Sequence, residues 1–187
     1  MPDLIQFETE RLFLRQWRPA DREPFAAMGE DPRVMEFFPA LLSRAESDAA
    51  ADRFESLLAE RGWGFWAVER KATGRFIGFV GLNVPAAELP FSPCVEIGWR
   101  LAFDAWEQGF ATEAARGSLH VGFETLGLDE IVAFTAVGNA RSRAVMLRLG
   151  MHEDAATFPH PRVPEGSPLR EHCLYRLSRE EWKTDGA

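Results

Sequence analysis

The alternation of apolar and polar side chains along the chain predicts a series of β-strands. In the first strand, Leu12 and Leu14 fall on one side together with Gln16. Two runs that flank a short turn containing Gly74 predict a β-hairpin. The later run D-E-I-V-A-F-T-A-V is typical of a largely buried strand. In chain order, the predicted strands cover residues 11–17, 64–69, 75–82, 94–101, 129–137 and 172–177.

Between these strands, apolar residues recur at helical spacing. In chain order, the predicted helices are a short one through Met28, a stretch after Asp31-Pro32 that carries Val34, Phe37 and Phe38, a long amphipathic one from Ser43 to Arg61, one from the loop at Gly109 to about Leu126, and one from Ala140 to Leu149. Asp21 is a candidate N-cap for the first helix, and Gly150 ends the last. No internal repeat or domain boundary is visible, so residues 1–187 are predicted to form one mixed α/β domain.

Composition and charge narrow the class of protein. The 187 residues are 46% hydrophobic and 27% charged, which fits one ordinary globular domain with its own core. The formal net charge of −8 argues against a nucleic-acid-binding surface. Cys94 and Cys173 lack metal-ligand spacing, so we expect buried, reduced thiols, no metal site and a cytoplasmic location. Neither a signal-like N-terminus nor an apolar run of membrane-spanning length occurs, and we expect no membrane association.

The run W-E-Q-G-F-A-T-E-A at residues 106–114 carries the first candidate chemistry. Gly109 and Ala111 are small, so the backbone can turn tightly and leave amide N–H groups uncovered at the start of a helix. Such amides, together with the helix dipole, form a site for phosphate or pyrophosphate. The spacing matches neither of the common nucleotide-binding glycine loops. A purely structural alternative is a helix N-terminus with Thr112 near the cap and Glu113 favouring the dipole.

A second polar pair follows one strand later, in the run N-A-R-S. Asn139 lies where the next helix needs an N-cap, and Ser142 lies three residues further, near the same helix end. Because Asn is among the best capping residues, capping alone can explain Asn139. The pair becomes informative only together with the loop at residues 106–114.

Three sequence blocks occur in a specific order along the chain. They are T-E-R-L-F-L-R at residues 9–15, the W-E-Q-G-F-A-T-E-A loop, and N-A-R-S with the L-G-M that follows it. Together they resemble the Gcn5-related N-acetyltransferases, the GNAT superfamily, and within it the branch of RimJ- and RimL-like ribosomal-protein N-terminal acetyltransferases. Each block is weak alone, whereas the combination is specific. The chain departs from many members at Trp106, where Gln or Arg is common.

This resemblance implies a mixed α/β (α+β) fold whose central, mostly antiparallel twisted sheet is flanked by helices and splayed between the fourth and fifth strands. It also implies acetyl-CoA as the donor. The loop's N–H groups would hold the pyrophosphate, and the backbone of the preceding strand would contact the pantetheine arm. Asn139 would hydrogen-bond that arm, and Ser142 would lie near the thioester sulfur. The loop residues implied are Gln108, Gly109, Phe110, Ala111 and Thr112, and the strand residues are Trp99, Arg100 and Leu101.

The reaction that the resemblance implies is direct attack of an amine on the thioester. A lysine amine has a pKa of about 10.4 and a protein N-terminus about 7.7–8.0, so an N-terminal amine needs little help to lose its proton. Glu96 is the first candidate base, because it is acidic in an otherwise apolar strand, although it also fits an exposed or salt-bridged residue. His160 is the second, because the imidazole pKa suits proton relay, although it also fits an exposed loop residue.

Leaving-group and acceptor residues are less sharply indicated. Many superfamily members protonate the departing thiolate with a tyrosine. The helix after Asn139 contains none, so Ser142 is the candidate hydrogen-bond donor. Candidates for an acceptor pocket are the aromatic residues Phe37, Phe38, Trp63 and Trp66, with burial in the core as the alternative.

Acceptors known for the family include protein N-termini, aminoglycosides, polyamines and other small amines, and fold kinship does not choose among them. The expected partner is therefore a small-molecule amine or a protein N-terminus, with the protein a monomer or homodimer. Two alternatives stay open. One keeps the donor site but transfers another acyl group, such as succinyl, and the other is a non-catalytic domain that binds or senses acyl-CoA.

Overall fold

The centre of the computed structural model, which describes residues 2–185, is a nine-stranded sheet. Its strands are β1 Phe7–Glu8, β2 Leu12–Arg15, β3 Phe65–Arg70, β4 Phe76–Asn83, β5 Glu96–Leu101, β6 Glu130–Ala136, β7 His152–Glu153, β8 Phe158–Pro159 and β9 Glu171–Ser178. They lie in the order β1-β2-β3-β4-β5-β6-β9-β7, with β8 paired to β9. Neighbours run antiparallel except β5 and β6, so the mostly antiparallel mixed fold and the hairpin of β3 and β4 are confirmed.

Helices occupy the connections on both sides of the sheet. They are α1 Arg22–Glu30, α2 Arg44–Arg61, α3 Phe110–His120, α4 Ala140–Arg148 and α5 Arg179–Asp185. Helix α2 begins with a capping box, because Ser43 Oγ accepts the Glu46 N–H and the Glu46 carboxylate accepts the Ser43 N–H. It ends at Gly62, whose φ of 80° is the left-handed conformation that glycine adopts easily. Helix α3 continues into one π-helical turn, Val121–Thr125.

The helices divide between the two faces of the sheet. Helices α1 and α2 cover one face, where Trp17 lies 5.8 Å from Phe54 of α2 and Phe79 of β4 lies 5.0 Å from Phe54, between ring centroids. Helix α3 covers the opposite face. A Cβ placed on Gly122, in the turn that continues α3, would lie 3.1 Å from Leu82 Cδ1, and Leu82 points away from Phe79 on the same strand. We call the first of these surfaces the α1–α2 face.

Between β5 and β6 the sheet opens. Among residues 2–185 these parallel strands share a single partnered position, Glu96 opposite Val132, and the Val132 N–H donates to the Val95 carbonyl at 3.0 Å. On its other edge β5 pairs with β4 along its whole length. Residues 99–101 therefore lie beyond the last contact with β6. The predicted splay is confirmed. The fourth and fifth predicted strands are β5 and β6 of the structure, because the short β1 is not predicted from the sequence.

Asp21 is the N-cap residue of α1, as predicted, but its side chain does not cap the helix. Asp21 ends a short 3₁₀ turn before α1, and its carboxylate makes no capping hydrogen bond to that helix. The carboxylate instead accepts the Arg15 guanidinium at 2.7 and 2.9 Å and the Arg18 N–H at 2.8 Å. Because Arg15 is almost fully buried, its charge needs the Asp21 carboxylate as a partner. The carboxylate is then not available to the N–H groups at the start of α1.

Residues 31–38, predicted to carry Val34, Phe37 and Phe38 on a helix, form consecutive turns instead. The Asp31 carboxylate accepts the Arg33 N–H at 2.9 Å and pairs with the Arg33 guanidinium, which favours a local turn. Pro39 follows directly, and a proline disfavours helical backbone at the residue before it. The segment is therefore a folded loop that lies against the sheet rather than a further helix.

Other elements were not predicted. Strands β1, β7 and β8 have two residues each, too few for an alternating pattern to register. Helix α5 follows β9 without a break, where Ser178 and Glu181 exchange hydrogen bonds between side chain and backbone. Cys173 is buried as predicted, whereas Cys94 is only half-buried. No helix in the described part of the chain is both long and apolar enough to cross a membrane.

Candidate active site

The loop between β5 and α3 exposes a row of backbone N–H groups. Glu107 and Gly109 have φ angles of 59° and 80°, so the chain turns sharply twice before α3 begins at Phe110. The first hydrogen bond into the helix is donated by the Glu113 N–H to the Gly109 carbonyl, at 3.0 Å. Within residues 2–185, no acceptor is bonded to the N–H groups of residues 108–112. These donors at the positive end of α3 fit an anionic phosphate group.

A clamp from the N-terminal segment holds this loop. The Arg11 guanidinium donates from Nη1 to the Gln108 carbonyl at 2.9 Å and from Nε to the Glu113 carboxylate at 2.6 Å. Thr9 Oγ1 donates to the same carboxylate at 2.5 Å. Burial opposes ionisation of Glu113, but the hydrogen bonds from Thr9 and Arg11 outweigh it and hold the pKa of this carboxyl below its usual value. Two of the three sequence blocks therefore bind each other, a contact that sequence reasoning missed.

Arg11→Ala is expected to destabilise the fold by about 1–3 kcal/mol, because it removes charge-assisted hydrogen bonds to the Gln108 carbonyl and the Glu113 carboxylate. It should also raise the KM for acetyl-CoA, the donor that the resemblance implies. Urea unfolding and donor kinetics measure the two effects. Arg75→Ala is the matched control, since Arg75 pairs with Asp104 and both side chains are more than half exposed, so its loss should stay below about 1 kcal/mol. Equal losses in the two variants would contradict the clamp.

Trp106 fastens the start of the loop to both flanking elements. Its Nε1 donates to the Leu101 carbonyl at 2.9 Å, at the end of β5. The guanidinium of Arg141, in the first turn of α4, lies 4.7 Å from its ring centroid. The N-termini of α3 and α4 are thereby held beside each other at the open end between β5 and β6. Residues 99–101 line that opening, and their contact with a pantetheine arm stays a prediction.

The Asn139 side chain is fully engaged at the start of α4. Its Oδ1 accepts the Ser142 N–H at 3.2 Å, as predicted for an N-cap. Its two Nδ2 hydrogens point to Thr135 Oγ1 at 2.9 Å and to Ser142 Oγ at 3.1 Å. Ser142 Oγ therefore accepts from Asn139 and keeps its own proton to donate elsewhere. A hydrogen bond from Asn139 to pantetheine stays a prediction, and its N–H donors are already used.

Glu96 lies at the point where β5 and β6 separate. It is half-buried, and the Asn83 amide donates to its Oε1 at 2.8 Å. Burial raises the pKa of its carboxyl to about 7, although the Asn83 hydrogen bond and the charge of Arg162 both oppose the rise. In the described residues Glu96 forms no ion pair, so the alternative of a salt-bridged strand residue does not apply. A carboxyl with this pKa can exchange a proton at neutral pH.

His160 packs against a cluster of aromatic rings and is not the exposed loop residue of the alternative interpretation. Its ring lies 4.7 Å from that of His172 and 5.8 Å from that of Phe134, between centroids. Its Nδ1 accepts the Arg162 N–H at 3.2 Å. Burial, together with His172 and Arg162, lowers the pKa of His160 to about 4. The imidazole is therefore neutral at pH 7 and a weaker base than the Glu96 carboxylate.

Trp66 is predicted to line an acceptor pocket, and this prediction is wrong. It is 0% exposed, and its Nε1 donates to the Ile5 carbonyl at 2.7 Å, so it belongs to the core. Trp63 packs against the same core, with the Arg61 guanidinium 6.0 Å from its ring. An indole is large and apolar enough to fill a position in the core as well as one in a pocket, so residue type alone does not distinguish the two.

Phe37 and Phe38 do lie at the splayed strands. The guanidinium of Arg100, on β5, lies 4.2 Å from the Phe38 ring centroid. Phe37 reaches the far side of the opening, where a Cβ on Gly138 would meet its ring at 3.6 Å. The loop of residues 31–38 therefore spans the end of the opening on the α1–α2 face. Sequence reasoning missed the Arg100 side chain, because the resemblance implies only a backbone contact at this residue.

The single tyrosine, Tyr175, is on β9 and bonded to other partners. Its hydroxyl donates to the Glu153 carboxylate at 3.0 Å and accepts from Arg143 Nε at 3.2 Å. Ser142, at the start of α4, therefore stays the candidate hydroxyl for a hydrogen bond to the departing thiolate. In the part of the chain that the structure describes, no group of three or more His, Cys, Asp or Glu side chains is arranged to hold a metal ion. The expectation of a reaction without a metal stays a prediction.

Solved structures resemble this fold over nearly the whole chain. An acetyltransferase from Agrobacterium tumefaciens is 27% identical, covers 95% of this chain with 96% of its own, and superposes with a TM-score of 0.75. The ribosomal-protein-S5-alanine acetyltransferase from Vibrio fischeri has a TM-score of 0.71 over 95% of this chain and 98% of its own. At 18% identity, the second likeness shows the fold alone.

Sequence comparisons identify the family. An Aspergillus fumigatus protein named FsC-acetyl coenzyme A-N(2)-transacetylase is 36% identical over 130 residues, 65% of this chain and 52% of its own, so the chain spans about half the length of that relative. The Bacillus subtilis protein YoaA, described as an uncharacterized N-acetyltransferase, is 30% identical over 151 residues, 79% of this chain and 82% of its own. The profile of the Acetyltransferase (GNAT) domain matches residues 11–152, most of the chain. This chain therefore belongs to the GNAT acetyltransferase family and is an acetyl-transferring enzyme.

Proposed function

We propose that the enzyme transfers an acetyl group from acetyl-CoA to a primary amine, by direct attack of the amine on the thioester. The observation that carries this proposal is the row of unbonded N–H groups at the start of α3, beside the opening between β5 and β6. Ligands of open sheets commonly bind beyond the carboxyl ends of neighbouring strands, and both helix N-termini lie at that edge.

Acetyl-CoA fits the residues present. The donor carries a pyrophosphate, and a protein with a net charge of −8 needs local N–H donors to hold such an anion. Residues 108–112 would hold the pyrophosphate, and residues 99–101 would lie along the pantetheine arm. Bound in this way, acetyl-CoA supplies an acetyl group activated as a thioester. The remaining chemistry is the removal of a proton from the amine and the stabilisation of a departing thiolate.

Glu96 is the residue that we assign to the amine proton. Glu96 lies where β5 and β6 separate, on the strand that precedes the donor loop, and its pKa of about 7 leaves a basic fraction at neutral pH. It would accept the proton directly or through water. His160 stays the second candidate, and its lowered pKa makes the imidazolium too acidic to hold a proton at pH 7.

Ser142→Ala is expected to lower kcat by about tenfold while leaving the dissociation constant for acetyl-CoA nearly unchanged, because it removes a hydrogen bond to the departing sulfur and, besides that, only the bond that Asn139 Nδ2 donates to Ser142 Oγ. The helix cap survives this change, since Asn139 Oδ1 binds the backbone N–H of residue 142. Single-turnover kinetics and isothermal titration with acetyl-CoA measure the two quantities. Unchanged turnover with a working acceptor would rule out this role.

Relatives widen the choice of acceptor rather than fix it. Their names include an acetyl coenzyme A N(2)-transacetylase and a ribosomal-protein-S5-alanine acetyltransferase. Both small-molecule amines and peptides with free N-termini therefore belong in an acceptor panel. The RimJ- and RimL-like branch, supported by the three sequence blocks, favours the peptides. A cytoplasmic location and a monomeric or dimeric state stay predictions from the sequence.

Release of free CoA thiol from acetyl-CoA in the presence of an amine panel tests the proposed function. We expect thiol release that depends on both the enzyme and an amine. Thermal shifts with acetyl-CoA and succinyl-CoA test the donor, since a ligand at about 100 times its dissociation constant stabilises a protein by about 2.7 kcal/mol. Stabilisation by succinyl-CoA with none by acetyl-CoA would overturn the proposed donor, and stabilisation without thiol release from any amine would overturn the transfer itself.

A further inference from the structure

One buried cation on β5 has no anionic partner. The Arg100 guanidinium forms no salt bridge or hydrogen bond with any residue between 2 and 185, and its Nε is sealed from solvent without an acceptor. Burial lowers the pKa of this guanidinium to about 10, so it is still charged at neutral pH. The residue keeps partial exposure, and its terminal amino groups are not sealed as Nε is. They can therefore reach a ligand.

Arg100 shares a face of β5 with Glu96. Side chains alternate along a strand, so residues 96, 98 and 100 point to one side. That side is the α1–α2 face: a Cβ on Gly98 would meet the Phe65 ring at 3.1 Å, and the Arg100 guanidinium lies 5.5 Å from the Phe79 ring centroid. The candidate base and the unpaired cation thus lie on the same face of β5, about 13 Å apart along the strand.

Aromatic rings hold the guanidinium without neutralising it. Phe38 and Phe79 lie 4.2 and 5.5 Å from it, which supplies cation–π attraction but accepts none of its hydrogen bonds. The acid nearest along the neighbouring loop, Glu36, is already paired with Arg141. A desolvated charge with unfilled donors costs free energy in the folded protein. An anion that enters with the acceptor would recover that cost, and the fork of an arginine suits a carboxylate.

We propose that the acceptor of this enzyme carries a carboxylate, or an equivalent anion, which Arg100 binds while the amine lies near Glu96. The inference rests on the acetyl-transfer function proposed above and names its substrate class: amino acids or acidic amines rather than plain cationic amines. The separation of the two residues on β5 requires several bonds between the anion and the nitrogen. Arg100 acts on binding and position, and Glu96 acts on the proton.

A ladder of ω-amino acids of increasing chain length, each matched with the plain alkylamine of the same length, tests this proposal. Melting temperature in the presence of CoA reports binding, and thiol release from acetyl-CoA reports transfer. We expect some length at which the acid stabilises the protein more than its amine and is acetylated with at least tenfold higher kcat/KM. Arg100→Met should remove that preference without lowering the melting temperature of the free protein, because it removes an uncompensated charge.

Arg33→Met is the matched control. The Arg33 guanidinium also stacks on a ring, 3.9 Å from the Phe103 centroid, but it is exposed and paired with Asp31. The carboxylate preference should survive in this variant. No preference at any length, or a preference that survives Arg100→Met, overturns the proposal. The pantetheine contacts proposed for residues 99–101 come from the backbone, which Arg100→Met retains, so loss of acetyl-CoA stabilisation in that variant overturns the proposal as well. Thiol release with plain amines keeps the proposed function intact in those cases, whereas no release with any amine refutes the function itself.

Discussion

Replacing Gly109 with valine is expected to raise the KM for acetyl-CoA about a hundredfold, since several hydrogen bonds to a charged group are lost together. Gly109 has a φ of 80°, and a Cβ there would lie 3.3 Å from Arg11 Nη2. A β-branched residue resists this backbone conformation and would push against the guanidinium that holds the Gln108 carbonyl. The loop N–H groups would then no longer converge. Isothermal titration with CoA and acetyl-CoA kinetics measure the loss.

Gly166→Val separates this effect from simple strain. Gly166 has the same φ of 80°, yet nothing lies within 4 Å of a Cβ placed there. Both variants therefore carry a similar backbone penalty, of the order of 1–2 kcal/mol. Only the Gly109 variant should lose donor binding. A similar rise in KM in both variants would show that donor binding responds to general destabilisation, and the assignment of the loop would fail.

Glu96→Gln is expected to lower kcat by between about a hundredfold and ten thousandfold, the range that general base catalysis contributes. In the unaltered enzyme, activity should rise with pH through a midpoint near 7, because the carboxyl must be ionised to accept a proton and its pKa is about 7. The glutamine variant should lose this midpoint. A rate profile that keeps its midpoint near 7 would place the titrating group elsewhere.

Asn83→Leu distinguishes a catalytic role of Glu96 from a merely structural one, because only the catalytic role links Asn83 to the midpoint of the pH–rate profile. The Asn83 amide donates to the Glu96 carboxylate and favours its ionised form, so its loss should move the midpoint of the rate profile to higher pH. The pH–rate profile of kcat/KM measures the shift. A midpoint that stays in place would separate Glu96 from the titration.

Stability should respond to Glu96 in the opposite direction to activity. Its folded pKa lies above the ordinary value of 4.5, so its contribution to stability is fully present below pH 4.5 and is lost as the pH rises through 7. Glu96→Gln, which cannot ionise, should therefore unfold at a higher temperature than the parent protein above pH 7. The difference in the free energy of unfolding should be of the order of 3 kcal/mol. Catalysis and stability thus conflict at this position.

Sequence reasoning reached the long strands and helices more closely than the surroundings of the aromatic residues predicted for an acceptor pocket. The donor loop and the Asn139 cap are local features, each defined within a few residues by a turn or by capping chemistry. Long strands and the hairpin carry a period that tertiary packing does not change. The short strands β1, β7 and β8 have no period to detect, since they form only because β2 and β9 offer them an edge.

The remaining details depend on contacts distant in sequence. Trp66 and Phe38 are both aromatic, yet one is sealed in the core and the other stacks on Arg100. Asp21 has the residue type of a helix cap, but a buried arginine takes its carboxylate. The unpaired state of Arg100 is visible only when every neighbouring acceptor has been located. Such facts belong to the packing of separate segments, which residue type and spacing do not encode.

The clamp on the donor loop has a consequence for biosynthesis. Thr9 and Arg11 bind Glu113, across separations of 104 and 102 residues. A growing chain therefore exposes its N-terminal segment long before the partner leaves the ribosome, and closing such a distant contact comes late in folding. The donor site is thus completed only when the two ends of this span have met. Binding of the proposed donor, acetyl-CoA, would therefore stabilise only those chains in which Thr9 and Arg11 have already bound Glu113.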